Sequence, residues 1–167
     1  MGKRVSYEQP IVDDFAAIAR PVNGRPFRGF GKANRIGPGG WGLTANQEFQ
    51  FGDFRVELDD RHVVVEIDGA GDVTNLAKYW PLARCLDRHL FLIHVYGINS
   101  AGDYVSRRML WRFLYDEMRK DPACTRFAAW QFQHGVGAGS SYRKAQDRFR
   151  ECLAEPIPYL IRLRDET

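Results

Sequence analysis

The chain has 167 residues, of which 44% are hydrophobic, 27% charged and 13% aromatic, with a formal net charge of +3. That length suits one compact domain, and the apolar share excludes disordered, collagenous and coiled-coil classes. Residues 1–10 are polar, Asp13 and Asp14 interrupt 11–19, and the longest apolar run, 90–96, holds His94. A secretory leader and a membrane span are therefore not expected, and the expectation is a soluble, cytoplasmic protein.

Residues 11–20 space Ile11, Phe15, Ile18 and Ala19 as a helix does, ending at Pro21. Residues 21–42 are dense in Gly, Pro and Arg and read as a long basic loop with Arg25, Arg28, Lys32 and Arg35. A loop of that length in a compact domain usually carries function. From 49 to 68 the pattern changes to period two. Phe54, Val56 and Leu58 alternate with charged residues, and after the polar 59–62 comes the β-branched run 63–67, so an antiparallel hairpin is predicted.

Residues 72–87 are helical, with a kink near Trp80 where Pro81 intrudes. Residues 90–96 read as a buried strand and 99–103 as a loop. Residues 104–120 form a helix with Met109, Leu110, Phe113 and Leu114 at helical spacing. A strand follows at 127–132, a flexible loop at 135–139, and a basic amphipathic helix at 140–153 capped by Ser140 or Ser141. The fold class is α/β: a single compact domain over 1–167, with a mixed central sheet that contains a β-hairpin and flanking helices.

Few other residues attract chemistry. Cys85, Cys124 and Cys152 have neither disulfide nor zinc spacing and read as free thiols. His62 is expected to be exposed in the hairpin turn, and His94 to be a satisfied core residue. The glycines at 135, 137 and 139 lack the lysine and the spacing of a phosphate-binding loop.

The hairpin is the chemical candidate. With Leu58 opposite Val63, Phe54 faces Ile67, Val56 faces Val65, and six apolar residues share one face. The other face then carries Asp53, Arg55 and Glu57 on one strand and Val64, Glu66 and Asp68 on the next. Asp53 comes opposite Asp68 and diagonal to Glu66. Like charges so placed destabilise a sheet unless a cation lies between them, and oxygen ligands suit Mg²⁺ or Mn²⁺. Glu57 lies about 13 Å further along by strand rise and is a weaker candidate. Lys78, on the helix after a Gly-rich turn, can be aimed at the acids to orient a water or stabilise an oxyanion.

At these residues the segment GDFRVELDDRHVVVEIDGAGDVTNLAKYW resembles the PD-(D/E)XK nuclease superfamily, the restriction-endonuclease-like fold. Asp53 matches the first acid of the motif and Glu66 the second. Where the family has lysine two residues after the glutamate this chain has Asp68, and Lys78 matches members whose lysine has migrated to the following helix. The likeness covers about 52–96, within a core motif region of about 47–96. The family's order of helix, three strands, helix, strand requires a first strand near 47–53 or in the preceding loop.

The resemblance implies a metal-dependent nuclease that hydrolyses phosphodiester bonds in nucleic acid, with DNA the expected partner. Asp53 and Glu66 would hold Mg²⁺ or Mn²⁺, Asp68 would be a further ligand or a base, and Lys78 would position the attacking water. Arg25, Arg28, Lys32 and Arg35, together with Arg143, Lys144, Arg148 and Arg150, would clamp phosphates. Phe30 and Trp41 are candidates to stack on bases, although packing over the core competes. The small chain leaves specificity to a homodimer or a larger complex. Two other readings stand beside this one. One is a catalytically inactive nucleic-acid-binding module on the same fold, and the other is an interaction protein that exposes Trp111, Tyr115 and Trp130.

Overall fold

The computed structural model describes residues 8–29, 31–37, 48–69, 73–97, 105–135 and 138–165. Phe30, Trp41, the loop at 99–103 and residues 136–137 of the loop expected at 135–139 lie outside the described residues, as does the side chain of Lys32. The elements in chain order are α1 (Glu8–Ala19), β1 (Arg25–Arg28), a 3-10 turn (Lys32–Asn34), β2 (Arg35–Ile36), β3 (Phe49–Gln50), β4 (Phe54–Glu57) and β5 (Arg61–Asp68). Then follow α2 (Val73–Ala77), α3 (Tyr79–Cys85), β6 (His89–Tyr96), α4 (Val105–Lys120), a second 3-10 turn (Pro122–Cys124), β7 (Phe127–Gln133), α5 (Gly139–Ala154) and α6 (Ile157–Asp165).

Five strands form one mixed sheet in the order β1-β4-β5-β6-β7. The first three run antiparallel to their neighbours, and β5, β6 and β7 are parallel. The first strand of this meander, Arg25–Arg28, lies inside the stretch read as a loop. It is an edge strand, so Pro26 withholds no ladder hydrogen bond that an inner strand would need.

Alternation gives the sheet two faces. On one, Phe54, Val56, Val63, Val65, Ile67, Phe91, Ile93 and Val95 are covered by Phe15 of α1, Phe149 of α5 and Leu160 of α6. On the other, Val64, Leu90, Leu92, Phe127 and Ala129 are covered by Leu76, Tyr79 and Leu82 of α2 and α3 and by Trp111, Tyr115 and Met118 of α4. The hairpin is present, but its register is two residues from the expected one. Phe54 pairs with Val65 and Val56 with Val63.

The cause of the shift is a tighter turn. The Leu58 N–H donates to the Arg61 carbonyl at 2.9 Å, so only Asp59 and Asp60 turn the chain. Arg61 can enter the strand because its guanidinium donates to the Asp60 carboxylate and to the carbonyls of Cys152 (3.2 Å) and Glu155 (2.7 Å). His62 follows it into the interior, 7% exposed, against the Phe51 ring. It is not the exposed turn residue expected. An even shift keeps every side chain on its own face, which is why the apolar face was still assigned correctly.

The helix expected over 72–87 is interrupted near Trp80 as expected, with the break itself at Lys78. Pro81 has no N–H for the Ala77 carbonyl and its ring crowds that oxygen, so α2 ends at Ala77 and Pro81 sits in the first turn of α3. No serine caps α5. Ala138 precedes it, and the Ser141 hydroxyl accepts the Gln133 N–H at 2.9 Å. On α4 the buried stripe is Trp111, Tyr115 and Met118, while Met109, Leu110 and Phe113 are exposed. Trp111, Tyr115 and Trp130, which the interaction-protein reading places at the surface, are 3%, 0% and 2% exposed. The Tyr115 hydroxyl accepts the Ala129 N–H at 3.0 Å, an anchor that turns the aromatic stripe inward. Among the described residues no helix is long and apolar enough to cross a membrane.

Candidate active site

Near the C-terminal ends of the parallel strands, the face beneath α2, α3 and α4 turns polar. Glu66 of β5 is the register partner of His94 on β6, and His94 is the partner of Gln131 on β7. Glu66 and His94 are 2% and 1% exposed. Buried groups of this kind need partners, and each finds one.

The Glu66 carboxylate is met by the two residues at the α2–α3 break. Lys78 forms an ion pair with its Oε1, and the Tyr79 hydroxyl donates to the same oxygen. Pro81 makes this possible: by ending α2 at Ala77 it leaves Lys78 as the joint between two short helices, turned toward the sheet. Tyr79 is fully buried, and that burial, with Glu66 alongside, pushes its phenol well above the ordinary value, so it remains a proton donor to the carboxylate.

Asp53 lies just before the β4 ladder, and its bonds straddle Glu66 along β5. Its N–H donates to the Val65 carbonyl at 2.9 Å, and its Oδ2 accepts the Ile67 N–H at 2.7 Å. Gly52 allows this corner with φ of +83°, where a Cβ would run into Val64 and two carbonyl oxygens. Asn34 holds the corner from behind. Its Nδ2 donates to the Gly52 carbonyl (2.9 Å) and its Oδ1 accepts from Arg55 Nε (3.0 Å). The Arg55 guanidinium is clasped between the rings of Phe27 and Phe51, at 3.9 and 4.6 Å. Gln50 adds a bond to Asp53 Oδ1 at 3.1 Å.

Burial, then the neighbouring Glu66, raise the Asp53 carboxyl to about 7, with Glu8 of α1 adding to the same negative field. The Ile67 N–H and Lys78 act against that rise. On the same face of the hairpin, burial and then Arg55 lower the His62 imidazole to about 4.

Asp68 does not face Asp53. Its carboxylate pairs with His94 Nε2 and accepts from Asn75 Nδ2 at 3.4 Å. The Gln131 amide approaches His94 Nδ1 at 3.5 Å, and the Trp111 ring stacks over the imidazole. Thus Asp53, Glu66 and Lys78 are brought together, and Asp68 is drawn one strand over. Glu57 is held apart by Arg55 at 3.0 Å and Arg88 at 3.5 Å.

Among the described side chains, the basic candidates do not gather at this site. Arg28 reaches back to Asp13 of α1 at 2.7 Å, Arg25 leans on Phe27, and Arg35 is exposed on β2. Arg143 and Lys144 are exposed on α5, the helix that covers the opposite face of the sheet. Arg148 pairs with Glu151 and lies over Trp130, and Arg150 pairs with Asp147.

Among the described residues no three His, Cys, Asp or Glu side chains converge as a ready-made metal centre. The pair Asp53 and Glu66 meets the minimum for Mg²⁺, which takes one or two carboxylates and completes its shell with water and phosphate oxygens. A carboxyl raised to about 7 by burial and then by a second acid sits in an environment short of positive charge, which a divalent cation would supply.

Tyr79, Asn75, Gln50 and Gln131 were not anticipated, nor was His94 as a partner of Asp68. Tyr79 was legible in principle, since a residue beside Lys78 at a proline-broken helix joint faces the same target. Gln131 and the His94–Asp68 pair depend on strand pairings that local patterning does not reveal. No protein-family model, no curated protein and no solved structure matches this chain.

Proposed function

We propose that the chain is a metal-dependent nuclease acting on the phosphodiester bonds of nucleic acid, DNA first. The observation that carries this reading is the meeting of Asp53, Glu66 and Lys78 on one face of the sheet, near the end of β5. Support also comes from the element order of the main sheet. A helix, three antiparallel strands (β1, β4 and β5, with the separate β2–β3 pair between the first two), a broken helix and a parallel strand succeed one another as the resemblance implies.

Asp53 and Glu66 would hold Mg²⁺ or Mn²⁺. Lys78 and Tyr79 both engage Oε1 of Glu66, which leaves Oε2 to face a cation. Bound there, the ion would polarise the phosphate and lower the pKa of a coordinated water. Lys78, its side chain 15% exposed, is tied to Glu66 at one hydrogen and offers its others to the attacking water or to the oxygen on which charge develops. Tyr79 and the Ile67 N–H keep the two carboxylates oriented before substrate arrives. His94 holds Asp68 away from the pair, so Asp68 serves as a support to the site.

The test is cleavage of a panel of single- and double-stranded DNA and RNA with Mg²⁺ or Mn²⁺. Lys78→Ala should lose about 10²–10³-fold in rate, and Glu66→Ala should lose all metal-dependent cleavage and measurable Mn²⁺ binding by calorimetry. Activity that survives Glu66→Ala refutes the assignment. One observation favours a second reading, a non-catalytic nucleic-acid-binding module: the direct Lys78–Glu66 ion pair satisfies both groups without a metal. A wild-type chain that binds oligonucleotides, cleaves none and has no Mn²⁺ affinity would establish that alternative.

A further inference from the structure

We infer that the outer face of α4 is a docking surface for a single-stranded nucleic-acid segment. The inference takes its purpose from the nuclease reading but stands on separate residues. Met109, Leu110 and Phe113 are the large apolar side chains that the described residues leave exposed, at 67%, 52% and 62%. Met109 and Leu110 lie four and three positions before Phe113, hence on the side of the helix that it occupies. Arg108 and Arg112 flank them and, with Asp116, line a shallow groove of about 500 Å³. From Val105 to Tyr115 the helix carries no acid, and its first one, Asp116, is paired with Arg112 at 3.2 Å. Single exposed apolar residues are ordinary, whereas a contiguous group rimmed by charge marks an interaction site.

The mixture selects the partner. Guanidinium groups call for anions, and the side chains between them call for flat apolar surface at the same spacing. A strand with unstacked bases offers both: phosphates for Arg108 and Arg112, base faces for Phe113 and Met109. A duplex hides its base faces until it is opened. The placement agrees with the chemistry, because the inner side of the same helix sets Trp111 on His94, whose register partner is Glu66. A strand on α4 is thus separated from the polar row by roughly one helix diameter, 10–12 Å.

The test is fluorescence anisotropy of a labelled oligodeoxythymidylate titrated with the full chain in EDTA, so that cleavage does not intervene. Phe113→Ala should weaken binding about tenfold, and the Arg108→Ala/Arg112→Ala double variant should flatten the dependence of affinity on salt. The altered side chains are exposed, and circular dichroism checks that each variant is folded. Unchanged affinity in Phe113→Ala overturns the inference. So does equal affinity for a duplex of the same length. Two other occupants would also overturn it: phosphatidylserine vesicles whose binding, unlike that of the oligonucleotide, needs Phe113, or a dimer in sedimentation that Phe113→Asp alone dissolves. A wild type that binds but never cleaves counts against the nuclease reading only. Cleavage that persists with Phe113→Ala binding unchanged counts against this inference only.

Discussion

On the face covered by α1, α5 and α6, the inner strands stay apolar to their ends, through Ile67 and Val95. On the face covered by α2, α3 and α4, the same strands pass from Val64, Leu92 and Ala129 to Glu66, His94 and Gln131 in a single step of two residues. The period of the pleat allows this, since neighbouring residues answer to different faces. One side of the sheet can be devoted to cohesion while the other gives up apolar area to the buried polar row of the candidate site. The comparison predicts that substitutions on the two faces differ in kind as well as in size.

The largest loss of stability should come from the apolar face. Phe149 is fully buried, edge-on to Phe15 at 5.0 Å and tilted against Phe54 at 6.1 Å. Phe149→Ala should cost about 3–5 kcal/mol in urea unfolding, with Mn²⁺ affinity of the folded protein unchanged. A change in affinity would mean that the two faces are coupled through the sheet. Next comes the corner that presents Asp53. Gly52→Ala must adopt a left-handed φ and meet Val64, at about 2–3 kcal/mol, and here Mn²⁺ affinity should fall along with stability.

A smaller effect lies in the pH dependence of the metal-free chain. Asp53 holds its proton more tightly when folded, so the stability it contributes is present below about pH 4 and lost as pH rises to about 7. His62 titrates the other way: its contribution is present above about pH 6.5 and lost as pH falls toward 4. The two oppose each other across one window. Asp53→Asn should therefore make the protein more stable at pH 7 by on the order of 1–2 kcal/mol, tilt its stability upward with pH, and abolish cleavage. His62→Gln should tilt it downward. Parallel profiles for both variants would show that neither group titrates in this window. The smallest effect is at the surface, where Arg28→Ala removes a half-exposed pair with Asp13 and should leave the unfolding midpoint where it is.

Much of this arrangement was legible from spacing. The two acids and the apolar set were assigned to opposite faces because parity depends only on the pleat, and the even register error could not disturb it. Lys78 was legible because a short turn and one helical segment return the chain toward the strand it left. The fate of Asp68 was not, because His94 is twenty-six residues away and reaches it only through the parallel pairing of β5 with β6. The inward face of α4 was misread for a similar reason. Apolar residues occur on two sides of that helix, and periodicity cannot choose between them; Trp111 and Tyr115 win because His94 and the Ala129 N–H await them. Helix α6, with Pro156 and Pro158 at its start, was passed over, although its Leu160 is wholly buried in the core.

The sequence by itself determined the class of fold, the strands of the hairpin, which residues share a face, and that Pro81 interrupts the helix after the hairpin. Covalent geometry sets all of these within a few residues. Only the tertiary structure decided which charges meet. Arg61 and His62 join β5 because the carbonyls of Cys152 and Glu155, some ninety residues on, satisfy the arginine, and that choice sets Asp53 beside Glu66. A buried charge goes where its partners are, and its partners come from segments that meet only when the chain has folded.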